Sequence, residues 1–409
     1  MRPRGPSALL SASPVPHFRR AASWAAIVAL LSACTAPGPS VPPRQADTGL
    51  AQPDGQAEVP LPAASSTPAA TSAPRSQEDA DDRAASPGAG PLDYAQRPEA
   101  RILAQQIASE TGLDPAWTWR ALSQARYREA AARLMMPPPA GTAKNWAAYR
   151  SRFVEPIRVR AGVAFWKQHE AALQRAQATY GVPADVIAGV LGVETIYGRQ
   201  TGQFRVLDVL TTLTLDFPKG RSDRSPYFRS ELAEFLQLCW EQGLQPETVL
   251  GSYAGAIGWP QFMPGSIRRH AVDFDGDGRI DLQRSPVDAI GSVANYLARH
   301  GWRTGWASHF DVRPPENRDA LDKLLAPDIV PSFSPQEMQS LGAALPAAAL
   351  AHPGSLALVL LQNGAAAPTL IAGTQNFYAI TRYNQSSYYA LAVIQLGEAV
   401  QREVRKAGR

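Results

Sequence analysis

Asp185-Val186-Ile187-Ala188-Gly189-Val190-Leu191-Gly192-Val193-Glu194-Thr195-Ile196-Tyr197-Gly198 carries one acid on an otherwise apolar helical face. Ile187, Val190 and Leu191 define that face, and Glu194 follows Ile187 by seven residues and Val190 by four. The spacing puts the carboxylate on the buried stripe, one turn from the helix end. A carboxylate so placed either pairs with a base or has its pKa raised by desolvation. The second condition is what a general acid at neutral pH requires. The alternative is a glutamate whose side chain reaches solvent at a helix terminus.

Gly181-Val182-Pro183 starts this helix, predicted over Ala184 to Tyr197, and ends another that begins near Val154. Upstream, Arg97 to Leu134 reads as two helices broken around Gly112–Pro115. Downstream, Ser225-Pro226 and Ser285-Pro286 each predict an N-cap with proline in the first turn. The helices they start end at Gly243 and Gly301. Leu356 to Gln362, Thr369 to Ala372 and Phe377 to Thr381 are short apolar runs split by turn residues and predict strands. Ser386 to Lys406 returns to helix. The expected fold class is α+β, mostly α, with a small β lobe at about 310–382 before the last helix.

Ser252-Tyr253-Ala254-Gly255-Ala256-Ile257-Gly258-Trp259-Pro260-Gln261-Phe262-Met263-Pro264 mixes small residues with flat rings and hydrogen-bonding side chains. Small residues let backbone approach a ligand closely, and rings with amides suit sugars. A tightly packed core turn has the same composition. Asp273-Phe274-Asp275-Gly276-Asp277-Gly278-Arg279-Ile280-Asp281 is a calcium-loop pattern. It places carboxylates at loop positions one, three, five and nine, glycine at six and an apolar residue at eight. Arg279 would give its backbone carbonyl. Position twelve is Arg284, not glutamate, and Ser285-x-x-Asp288 also reads as a capping box.

The amino terminus is of another kind. Arg2, Arg4, Arg19 and Arg20 are the only charges in residues 1–33, and removing them from 40 basic residues leaves 36 against 36 acidic. A neutral body gives no support for a nucleic-acid binder. The apolar run Ala21 to Leu31 is far short of the ~20 residues a spanning helix needs, so residues 1–33 read as a signal peptide. Leu31-Ser32-Ala33-Cys34 resembles the lipobox of bacterial lipoproteins, implying a lipidated Cys34; an ordinary signal peptide is the alternative. Thr35 in place of aspartate favours the outer membrane, on its periplasmic face. Thr35 to Pro91 contains no Ile, Met, Phe, Trp or Tyr, so the span 34–92 is expected to be a disordered tether. Its reach is roughly 40 Å. Cys239 is then left without a partner and reads as a packed core thiol.

Gly192 to Arg199, Ser252 to Pro264, Asp273 to Asp281 and Arg382-Tyr383-Asn384 occur in one order. Together they resemble the membrane-bound lytic murein transglycosylases of the B type, glycoside hydrolase family 103, over roughly Tyr94 to the C-terminus. The resemblance implies a lysozyme-like catalytic core with flanking helical and small β lobes across 93–409. It implies a carbon–oxygen lyase that cuts the MurNAc-β-1,4-GlcNAc bond of peptidoglycan without water, giving 1,6-anhydroMurNAc. Glu194 would be the single catalytic carboxylate, acid then base. Tyr149, Ser252, Gln261, Tyr296, Tyr383, Asn384 and Tyr389 match the glycan cleft, with Ser252 orienting the substrate N-acetyl group. The family's loop closes late, here at Asp288, around a structural calcium held by Asp273, Asp275, Asp277, Arg279, Asp281 and Asp288; no cofactor enters catalysis. Lys219 to Ser225 is longer than the family pattern, which leaves the roles of Arg221 and Arg224 open.

Two other functions fit the residues. A hydrolytic muramidase on the same scaffold needs a second carboxylate, with Asp208 or Asp216 as candidates. A non-catalytic glycan-binding lipoprotein needs only the aromatics.

Overall fold

In the computed structural model, residues 93–136, 144–220 and 222–407 are described. The expected signal peptide, Cys34, the expected tether and Arg221 lie outside the described residues. The Ala184–Thr195 helix is buried from Val186 to its last residue, not along one stripe only. Around it pack Pro156–Tyr180, Pro286–Arg299 and the C-terminal helix Ser387–Ala407. A helix apolar on every side belongs in a core, and this one carries Glu194 there with it. Glycine permits the tightest of these contacts. A Cβ at Gly189 would overlap the Val393 carbonyl, and one at Gly397 the Asp185 carbonyl, so the two helices meet backbone to backbone.

The helix also ends earlier than its sequence predicts. It stops at Thr195, because Ile196 and Tyr197 take left-handed backbone with φ of 51° and 56°. The fifth predicted helix forms over Ser225–Gln242, but Ser225 is its first residue and not its cap. Asp223 instead holds the Ser225 amide and hydroxyl. Helices at Trp146–Phe153, Val206–Leu215 and Pro264–His270 add to the predicted set. Among the described residues, no helix is long and apolar enough to cross a membrane.

The β lobe is an antiparallel sheet with Ala366–Gly373 between His309–Asp311 and Ala357–Asn363. It has its own small core of Leu324, Met338, Ala343, Leu356, Leu358 and Ala372. The third predicted strand is not one. Phe377–Thr381 lies in the helix Gln375–Thr381, started by the Thr374 side chain accepting the Asn376 amide. Its apolar residues are buried on a helical face, which five residues are too few to distinguish from a strand. A second, two-stranded pairing of Phe204–Arg205 with Leu250–Gly251 sets the Ser252 run against the core.

Candidate active site

Glu194 is 7% exposed, and Tyr389, fully buried on the C-terminal helix, donates its hydroxyl to Glu194 Oε1 at 2.6 Å. Burial pushes the Glu194 carboxyl up to about 8, against the lowering effect of that hydrogen bond. No carboxylate and no base contributes to the shift. The terminal-glutamate alternative is therefore excluded: the side chain is buried, and burial favours its protonated form.

Aromatic residues from three distant parts of the chain continue outward from this pair. Tyr383 stacks on Tyr389 with ring centres 6.0 Å apart, and Tyr296 meets Tyr383 at 4.9 Å. Phe262 touches both Tyr296 and Tyr383. Each hydroxyl is used to tie backbone: Tyr383 donates to the Pro260 carbonyl and Tyr296 to the Arg382 carbonyl. Tyr149 packs among Trp146, Phe153 and Tyr388. Burial, and next the charge of Glu194, push its phenol above the usual range. Asn384 is buried, and its Oδ1 has no hydrogen-bond partner among the described residues.

From Ser252 to Met263 the run is a set of tight turns, and the helix Pro264–His270 begins at its end. Ser252 Oγ accepts the Ala254 and Ala256 amides. Gln261, at φ 52°, spends both amide hydrogens on the Gly258 and Thr201 carbonyls. Thr195, which the sequence did not mark, joins this run to the Glu194 helix: its hydroxyl donates to the Trp259 carbonyl at 2.9 Å. A threonine at the end of an apolar helix carries no signal of that contact.

The two candidate second carboxylates are occupied elsewhere. Asp208 is fully buried and bonded by Arg128, Arg205 and the Arg126 amide. Burial pushes its carboxyl up against the pull of Arg205 and Arg128. Asp216 accepts from the Tyr94 hydroxyl and from Arg97 at 2.6 Å. Both acids lock the N-terminal segment onto the Val206–Leu215 helix. Arg224 is buried with its guanidinium over Tyr227 and Phe228.

In the acidic loop, one oxygen each of Asp273, Asp275 and Asp288 lies within 4.8 Å of the others. Three carboxylates so gathered are an oxygen donor set suited to a hard divalent cation. Asp277 and Asp281 stand outside that group. Their side chains accept the Arg279 amide and the Gln283 and Arg284 amides. Ser285 does cap the Pro286–Arg299 helix, through the Asp288 amide. The Asp288 carboxylate does not return the bond; it turns into the loop and accepts the Phe274, Asp275 and Asp281 amides. A capping box needs both bonds, so the helix has a serine cap only.

A mostly helical body with a lysozyme-like core and a buried glutamate held by a tyrosine hydroxyl defines the class. The transglycosylase SLT domain matches residues 95–398, and the chain belongs to that family of peptidoglycan lytic transglycosylases. It is 39% identical over 319 residues to the membrane-bound lytic murein transglycosylase B of Escherichia coli strain K12, covering 75% of this chain and 84% of that protein. Among solved structures, the Escherichia coli lytic transglycosylase Slt35 in complex with calcium is 38% identical, with TM-score 0.65, covering 77% of this chain and 96% of that one. SltB3 from Pseudomonas aeruginosa in complex with NAG-anhNAM-pentapeptide is 30% identical, with TM-score 0.63, covering 74% and 79%.

Proposed function

We propose that this enzyme cleaves the MurNAc-β-1,4-GlcNAc bond of peptidoglycan with Glu194 as its one catalytic carboxylate. The observation that carries this is the burial of the Glu194 carboxyl with the Tyr389 hydroxyl donating to it. Burial pushes that carboxyl up to about 8, which favours the protonated form a general acid needs. Glu194 donates its proton to the glycosidic oxygen as the bond from that oxygen to C1 of MurNAc breaks. The substrate's N-acetyl oxygen supports the positive charge at C1 in place of a protein anion. The ionised Glu194 then takes the proton of the C6 hydroxyl while the C6 oxygen bonds to C1, forming the 1,6-anhydro ring. Glu194 ends protonated, as it began, and no water is consumed. Intramolecular attack also has a large effective-molarity advantage over water.

Tyr149, Ser252, Gln261, Tyr296, Tyr383, Asn384 and Tyr389 are assigned to the glycan cleft. Ser252 Oγ already accepts two amides, which leaves its hydrogen to orient the N-acetyl carbonyl. The Asn384 oxygen, buried without a protein partner, suits a sugar hydroxyl. Asp273, Asp275 and Asp288 would hold a structural calcium, with Asp277, Asp281 and the Arg279 carbonyl as further oxygen donors; a relative solved with calcium supports this. Cys34 is assigned as the lipid anchor to the periplasmic face of the outer membrane, in keeping with the membrane-bound name of the Escherichia coli relative.

Mass spectrometry of digested peptidoglycan tests the reaction. Anhydro products are lighter than hydrolytic ones by one water and should dominate. Reducing-end muramic acid as the main product would overturn the transglycosylase in favour of a muramidase, and unchanged glycan strands would leave a binding module.

A further inference from the structure

Ile196 and Tyr197 leave the Glu194 helix in left-handed backbone, which side chains of L-residues resist. Surrounding structure must hold that exit. The Tyr197 ring fills the space that Gly162 and Gly192 leave open. Thr195, fully buried, supplies the polar hold. Its Oγ1 accepts the Gly198 amide at 3.0 Å, closing the exit turn. A hydroxyl has one hydrogen, and this one goes to the Trp259 carbonyl at 2.9 Å; the Leu191 carbonyl, at 3.4 Å, is the weaker acceptor.

Trp259 is itself fixed on its other sides. Its amide donates to the Leu282 carbonyl at 2.8 Å and its indole N–H to Gln283. Its ring lies where a Cβ on Gly198 would have to go. The next residues, Pro260 and Gln261, carry the carbonyl that receives Tyr383 and the amide assigned to the cleft. One hydroxyl therefore spans from the residue after Glu194 to the residue before this part of the cleft.

We propose that Thr195 is a positioning residue of the transglycosylase reaction. Its hydroxyl sets the distance between the Glu194 carboxylate and the Gly258–Gln261 turn, and so between the acid and the glycosidic oxygen of a strand lying there. The proposal rests on the catalytic assignment of Glu194. Proton transfer demands hydrogen-bond reach, and an error of ~1 Å in placement costs on the order of 100-fold.

Thr195→Val keeps volume and branching but removes both hydrogen bonds; Thr195→Ser keeps the hydroxyl and loses the methyl. The full-length protein in each form, with Glu194→Gln beside them, is assayed on purified peptidoglycan for kcat and KM, with the folded fraction measured by circular dichroism. Thr195→Val should lower kcat by about 10- to 100-fold with KM nearly unchanged, and Thr195→Ser should restore most of it. A valine variant with wild-type kcat, equal losses in valine and serine, or a loss accounted for by the unfolded fraction would each overturn the proposal. Full turnover by Glu194→Gln would instead remove the catalytic assignment, and the purpose of the Thr195 contact with it.

Discussion

Tyr389 Oη stands 2.6 Å from Glu194 Oε1 across 195 residues of sequence, and both groups are buried. The phenol donates, so it favours the ionised acid and opposes the burial that favours the neutral one. Glu194→Gln should abolish turnover while leaving glycan binding, since a carboxamide neither gives nor takes the proton. Tyr389→Phe should leave a slower enzyme, by about 10-fold or more, whose Glu194 ionises at higher pH than in the wild type. A pH–rate profile of the phenylalanine variant checks the direction, and a shift to lower pH would refute it.

The same carboxyl ties activity to stability. Acid function needs the proton, so kcat/KM should fall as pH rises through about 8. The folded-state pKa is raised above the ordinary 4.5, so the folded chain holds the proton more tightly than the unfolded one. Stability from this group is complete below 4.5 and is lost on rising to about 8, by at most ~1.4 kcal/mol per pH unit. Glu194→Gln lacks the titration and should melt above the wild type at pH 8, but not at pH 4. Parallel melting temperatures across that range would show that burial of the acid costs nothing.

Asp208→Asn should separate structure from catalysis. Removing one partner of a buried ion pair costs about 3–5 kcal/mol, so the variant should lose stability. Its remaining folded enzyme should keep the wild-type ratio of anhydro to hydrolytic products. A changed ratio would make Asp208 a reacting group after all.

Calcium should raise the melting temperature by binding the folded state. Replacing Asp273 and Asp277 together by asparagine should eliminate that increment. Asp288→Ala should destabilise the protein even in chelator, by ~2–4 kcal/mol, because three amides lose their acceptor. Identical wild-type melting in chelator and in millimolar calcium would leave Asp288 as a loop-bracing residue alone.

Fractionation checks the anchor. Cys34→Ser should release the protein from outer membranes, whereas its cleavage of isolated peptidoglycan should be unchanged. Sedimentation with membranes at high salt would exclude lipidation as the means of attachment.

Much of this was legible in the residues. Spacing placed Glu194 on the apolar side of its helix, because seven and four residues from apolar neighbours are the same side, but left open a side chain turned to solvent at the helix end. It did not show that the helix is enclosed on all sides, since that depends on which helices arrive from Pro156, Pro286 and Ser387. Nor did it show the exit at Thr195: isoleucine and tyrosine are poor residues for left-handed backbone, and tertiary contacts impose it. Phe377–Thr381 reads as a strand but forms a helix, because five apolar residues fit either period and Thr374 supplies the cap. Asp288 illustrates a different limit. Its position after Ser285 fits a cap and a metal ligand equally, and only the direction of its side chain separates them. Tyr389 came from family resemblance alone, because nothing local links it to Glu194.

The C-terminal helix has a consequence for synthesis. Ser387–Ala407, which walls Glu194, follows the β lobe in chain order, so synthesis delivers it later than the other helices that enclose the acid. A nascent polypeptide without that helix has no Tyr389 phenol beside its acid and leaves that side of the Glu194 helix uncovered. The surroundings that hold the proton on this acid are thus complete only once that late helix has folded against the Ala184–Thr195 helix.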